Sequence, residues 1–168
     1  ELKTEQEQLK KFRRKELLAL RRVPVEIAAE RNTWYHLGAN SDEQFVYCLK
    51  RMLEPIKEHI DNNFNPVPQL YIDEYRPVRE KISDLMGRTE KMLETTRFTE
   101  YDEVLAEADK LKDELSVIRK HHYDRMQSDH DVSNLKISLV YLNILQESQE
   151  FLSIMRHQLR AANRFCGN

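Results

Sequence analysis

Glycine is scarce in this sequence. Only Gly38, Gly87 and Gly167 occur among 168 residues, and each stands alone. Phosphate-cradling loops and tight sheet turns both consume glycine, because a residue without Cβ reaches backbone shapes that others resist. The scarcity argues against a nucleotide-dependent enzyme and against a turn-rich sheet. Cysteine is rarer still: Cys48 and Cys166 form no CxxC pair and are too few for a disulfide scaffold, which points to a reducing compartment. Cys48 falls among Phe45, Leu49 and Met52 at helical spacing, where a reduced core thiol is expected, whereas Cys166 is expected in a frayed, exposed tail. No secretory leader is visible, and no run of about 18 apolar residues is available to span a bilayer. The chain begins at Glu1 rather than Met and reads as a fragment cut from a larger protein.

What is abundant is charge, at 33% of residues. The net charge of −2 hides an asymmetry: residues 1–22 hold eight basic against four acidic side chains, a net +4, and the rest of the chain carries −6. A nucleic-acid binder would be basic across its whole domain, so a basic head on an acidic body suits a tether near anionic lipid better. The cluster Lys10, Lys11, Arg13, Arg14 and Lys15 carries that reading. A solvated helix face, balanced by the neighbouring glutamates, is the competing reading of the same residues.

Apolar residues recur at three- and four-residue steps in four long segments, which predicts an all-α fold. The stripes are Phe45, Leu49, Leu53, Ile56, Ile60, Phe64; then Tyr75, Val78, Ile82, Leu85, Thr89, Met92; then Val104, Ala108, Leu111, Leu115, Ile118, His122, Met126; and finally Tyr141, Ile144, Ser148, Phe151, Met155, Leu159, Ala162. Ser41 with Gln44 reads as a capping box, and Thr99 with Asp102 as a second helix start. Turns are expected at "NNFNPVP" (62–68), where Pro68 opens the next helix, and at "QSDHDVSN" (127–134). Kinks or short breaks are expected at Pro55 and Pro77. Residues 1–40 read as a basic lead-in helix followed by a short connecting helix that ends at Gly38, with Trp34 packing on the bundle. Residues 41–168 read as a four-helix bundle, the whole forming a single domain. Short connections make neighbours antiparallel, giving an elongated up-and-down bundle. On the last helix Ser148 centres the apolar arc, which leaves Asn143, Gln146, Glu147 and Glu150 on an outer face expected to meet water.

Candidates for chemistry are few. The carboxylates Glu103, Glu107, Asp109 and Asp113 stand at four-residue spacing and would hold a metal ion if a second helix completed the shell, with Glu147 a fifth candidate. A solvated face is the plainer reading, since Lys110 and Lys112 interleave them. His121 and His122 point about 100° apart on a helix, and no HxxxH or HExxH occurs, so they read as cations suited to a helix C-terminus. No Ser, Cys or Thr lies in a recognisable motif with an activating base. A non-catalytic protein with no cofactor is expected.

The segment "NLKISLVYLNILQESQEFLSIMRHQLRAANRF" (134–165), with Tyr141, Leu142, Asn143, Ile144, Leu145 and Glu147, resembles the last helix of the PhoU-like domain at the C-terminus of bacterial sodium/phosphate cotransporter-family membrane proteins. "LKDELSVIRKHHYDRM" (111–126) and "FVYCLKRMLEPIKEHIDNNF" (45–64) are similar in character, and the resemblance spans about residues 41–165. It implies an all-helical regulatory domain on the cytoplasmic side of the bacterial inner membrane. It also implies one partner, the transmembrane transport domain of the same parent chain; the basic cluster adds anionic lipid headgroups as an expected partner, and a second copy as a homodimer is a further one. Free-standing PhoU regulators bind metal clusters through acid-rich signatures. The matching positions here are Asn143, Ile144, Glu147 and Phe151, of which only Glu147 keeps an acid, so metal binding is not carried over. A metal-binding phosphate regulator and a purely structural helical scaffold or dimerisation module are the alternative readings.

Overall fold

The computed structural model describes residues 24–62, 65–128 and 134–166, with Thr4, Glu7, Gln8 and Lys11. Four long helices run through these residues: α1 Val25–Asp61, α2 Gln69–Thr95, α3 Tyr101–Ser128 and α4 Leu135–Cys166. They hold 37, 27, 28 and 32 residues. No strand occurs among the described residues.

Side-chain pairs give the helix directions. Asp42 bonds to Gln158, while Arg51, nine residues on, bonds to Glu147, so α1 and α4 are antiparallel. Lys81–Glu114 and Arg125–Glu74 make α2 and α3 antiparallel, and Asp109–Arg156 with His122–Ser138 do the same for α3 and α4. The result is the expected up-and-down bundle. Its hub is α4, which among the described residues packs on all three other helices. At about 1.5 Å per residue α1 is about 55 Å long. Its ring contact between Tyr35 and Phe165 lies at the C-terminal end of α4, so residues 25–34 continue about 15 Å past that helix.

The core follows from α4 having two buried sides. Tyr141, Leu145, Leu152, Met155 and Leu159 join Val78, Leu85 and Met92 of α2 and Val104, Ala108, Leu111 and Leu115 of α3. Each such Leu or Met stabilises the fold by about 1.5–3 kcal/mol relative to exposure. A second cluster, Cys48 with Phe151 and Ile154, seats α1, and Phe45 and Leu49 of α1 with Ile82 and Met86 of α2 pack around it. The stripes expected for α2, α3 and α4 are buried or half-buried as read, including Thr89, His122 and Ser148.

Helix α1 departs from expectation. Leu53 and Ile60 are exposed and Phe64 lies outside the described residues, while Ser41, Val46 and His59 are buried instead; Cys48 is buried as expected. The reason is that α1 lies against α4, and no Cα of α1 comes within 8 Å of α2 or α3 among the described residues. One neighbour buries a narrow seam, not the broad stripe a four-sided bundle would give. The short connecting helix and the capping box are corrected too. One helix runs through Gly38 and Ser41, whose hydroxyl donates to Leu37 O at 2.9 Å one turn back. A Cβ at Gly38 would meet Ala161 Cβ at 4.0 Å, an ordinary contact, so tight approach does not require glycine there. Helices α1 and α2 also continue through Pro55 and Pro77. Pro68 directly precedes α2, its carbonyl accepting from Tyr71 N at 3.0 Å, and α3 starts at Tyr101, one residue later than a Thr99 cap implies. Trp34 is half-buried. No helix among the described residues is long and apolar enough to cross a membrane.

Candidate functional site

The five candidate carboxylates do not converge. Glu103 and Glu107 turn to Arg88 of α2, at 3.4 and 3.0 Å, where Glu100 at 2.6 Å and Asp84 at 3.5 Å join them. Four acids around one guanidinium leave this patch acidic, and hydrogen bonds to Glu107 and then Glu100 push the Arg88 pKa up against its partial burial. Asp109 pairs with Arg156 at 2.6 Å, and Asp113 is exposed on the outer face of α3. Among the described residues no group of three or more His, Cys, Asp or Glu side chains is placed to hold a metal ion. Of the basic cluster, Lys11 is helical and exposed, while Lys10, Arg13, Arg14 and Lys15 lie outside the described residues.

Glu147 corrects the expectation that it meets water. It is buried at 6% exposure because α1 covers that face of α4. Arg51 Nε donates to both carboxylate oxygens at 3.0 Å, and its second nitrogen, Nη2, reaches Oε2 at 2.8 Å. A planar guanidinium grips a carboxylate in this two-pronged way, which fixes orientation as well as distance. The Cys48 thiol donates to the Glu147 carbonyl at 3.2 Å. Burial, then the Glu147 side chain, pushes that thiol up to about 12, so it stays protonated. Cys48, Arg51 and Glu147 together form a latch between α1 and α4. Cys48 was legible as a core thiol; the latch was not, since Arg51 and Glu147 lie 96 residues apart.

A second polar cluster sits where α2, α3 and α4 meet. Glu74 accepts from Arg125 at 2.8 and 3.2 Å and from the Tyr141 hydroxyl at 2.8 Å. Tyr71 and Tyr141 stack with centroids 4.5 Å apart, and His122 meets both rings edge-on at 5.0 and 4.9 Å. The Tyr71 hydroxyl bonds to Ser138 Oγ at 3.1 Å. His122 Nε2 bonds to Ser138 O at 2.9 Å, and since a carbonyl only accepts, Nε2 carries the hydrogen. Its Nδ1 is buried with no partner among the described residues. Burial lowers the His122 pKa against the weaker opposing effect of the Ser138 bond, so the ring is held neutral. Burial first, then Glu74, raises the Tyr141 pKa, so the phenol keeps its proton. His122 therefore belongs to the core and not to a cationic helix end; its place on the α3 stripe was the sequence signal for that.

The Ser138 hydroxyl of the second cluster bonds to Tyr71 and the Ser148 hydroxyl, elsewhere on α4, bonds to Tyr75, so neither is paired with an activating base among the described residues. Both clusters join helices, and the Cys48 thiol, the His122 ring and the Tyr141 phenol are each held in their neutral form. They are suited to fixing helix positions. Comparison with protein-family models, with curated proteins and with solved structures returned no match.

Proposed function

We propose that this chain is a non-catalytic, PhoU-like regulatory domain that moves as a unit with a membrane-embedded, sodium-dependent phosphate transport domain. The observation that carries the reading is α1. It is one helix from Val25 to Asp61, projecting past the end of α4 and clamped to that hub by Arg51–Glu147. A continuous helix transmits displacement or rotation without the loss a flexible loop would bring, so whatever pulls on residues 25–34 moves the α4 core. The all-helical, antiparallel bundle supports the same reading, because it is the architecture the resemblance to the PhoU-like domain of sodium/phosphate cotransporters implies. In this arrangement the basic residues before α1 face anionic lipid headgroups on the cytoplasmic side of the bacterial inner membrane, and the acidic bundle is repelled from them.

The test has two arms. The reading frame upstream of Glu1 is expected to encode transmembrane helices, and deletion of the bundle from that parent is expected to change sodium-dependent phosphate uptake. A parent without such helices, or uptake unchanged by the deletion, would overturn the proposal.

A further inference from the structure

A cavity of about 280 Å³ opens on the side of the bundle where α2 packs on α4, beneath the turn that leads into α2. Its walls are the rings of Tyr71, Tyr75 and Tyr141 with the aliphatic chains of Ile72 and Ile144. All three phenol hydroxyls are tied up elsewhere. Tyr71 bonds to Ser138 Oγ, Tyr75 to Ser148 Oγ at 2.7 Å, and Tyr141 to Glu74. The rings are held rigidly and show the cavity carbon. Two cations complete the lining, Arg76 and Arg79, exposed and one turn apart on α2. Arg76 reaches Asp73 only at 3.5 Å, with both side chains 55% exposed. Among the described residues no carboxylate pairs with Arg79, in contrast to Arg51, Arg88, Arg125 and Arg156.

An apolar slot with rigid aromatic walls and guanidinium groups at its solvent edge matches one kind of ligand. A bare inorganic anion would use the arginines and leave the walls in water; a neutral hydrocarbon would use the walls and leave the arginines idle. The volume lies just under the range of pockets that take drug-sized molecules, about 300–1,000 Å³, so the ligand is small. We propose that this cavity binds a small amphipathic carboxylate, its alkyl or aryl body against Tyr71, Tyr75 and Ile144 and its head on Arg79. This goes beyond the transport reading and does not depend on it.

The experiment is calorimetric titration of the 168-residue chain with sodium octanoate, with sodium acetate and 1-octanol as head-only and tail-only controls. Saturable one-to-one binding of octanoate is expected, at least about tenfold tighter than either control. Arg79→Gln, a change on an exposed face that leaves the fold intact by circular dichroism, should weaken octanoate about fivefold and leave 1-octanol unaffected. Ile144→Trp should fill the slot and abolish saturable binding. Octanoate binding no tighter than both controls would overturn the proposal, as would binding indifferent to Arg79→Gln, which would place the alkyl chain elsewhere on the bundle.

Discussion

Replacing Arg51 by Met is expected to cost more stability than replacing Glu147 by Gln, although both break the same ion pair. The asymmetry comes from burial: the Glu147 side chain is 8% exposed and that of Arg51 is 49% exposed. Arg51→Met leaves a carboxylate under α1 with its guanidinium partner gone. Uncompensated buried charge costs about 3–5 kcal/mol, and the half-exposed Arg51 end sets the lower figure, about 3 kcal/mol. Glu147→Gln leaves a guanidinium already half in water, which hydrates freely, and the loss is that of one charge-assisted bond, about 1.5 kcal/mol. For a chain of this size each kcal/mol moves the melting temperature by about 2–4 °C, so the two variants should melt about 3–6 °C apart, Arg51→Met lower. The double change to Met at both positions should recover most of the loss, since a packed apolar pair often equals a buried ion pair. Thermal and urea unfolding followed by far-ultraviolet circular dichroism measure all three. Glu147→Gln equal to or worse than Arg51→Met would refute the argument, because it would mean that the carboxylate is not the buried partner.

The remaining predictions concern other elements of the bundle. His122 has a pKa lowered below its ordinary 6.5 in the fold, so the unfolded chain binds more protons just below that pH and stability falls as pH drops through 6.5. Against His122→Phe, which lacks this proton but gives up the Ser138 bond, the wild-type advantage should therefore narrow between about pH 7.5 and about pH 5; a constant gap would contradict the neutral buried ring. Gly38→Ala should stabilise by about 0.5–1 kcal/mol, since α1 is helical there and Ala161 leaves room. A destabilised variant would show that α1 needs glycine for its approach to α4. Thr96 ends α2 in the left-handed region at φ 53°, and Thr96→Gly should raise stability by about 1 kcal/mol in urea unfolding.

Three of the four helices were legible because their burial has the period of a helix packed on broad neighbours. Val104, Ala108, Leu111, Leu115 and His122 form such a stripe, and the structure buries all five. Helix α1 was misread at both ends for one reason. Its only close backbone neighbour among the described residues is α4, so Leu53 and Ile60 stay exposed and a polar residue such as Ser41 is buried, which no stripe rule anticipates. Gly38 and Ser41 carry stop and start signals of local strength, about 1 kcal/mol each, and packing of Cys48, Phe151 and Ile154 outweighs them. Glu147 was misplaced because a helical wheel of α4 shows where apolar density peaks, not how many neighbours the helix has. Polar residues on its second face are readable only once α1 is known to lie there. The Tyr71–His122–Tyr141 cluster was hidden in the same way: each ring sat on or beside its own stripe, but their meeting depends on the register between three helices.

The claim that α1 carries movement between a transport domain and the bundle is tested most directly by interrupting that helix without touching the core. A Gly-Pro-Gly insertion between Asn32 and Thr33 falls outside the Tyr35–Phe165 contact, in a stretch exposed to solvent, and leaves Arg51–Glu147 and the buried clusters in place. Sodium-dependent uptake of radiolabelled phosphate is then compared in cells carrying the intact parent chain, the insertion and the bundle deletion. The account predicts that the insertion reproduces the deletion's effect on uptake while the isolated bundle melts as the wild type does. Uptake like that of the intact chain, alongside an altered rate in the deletion, would contradict it.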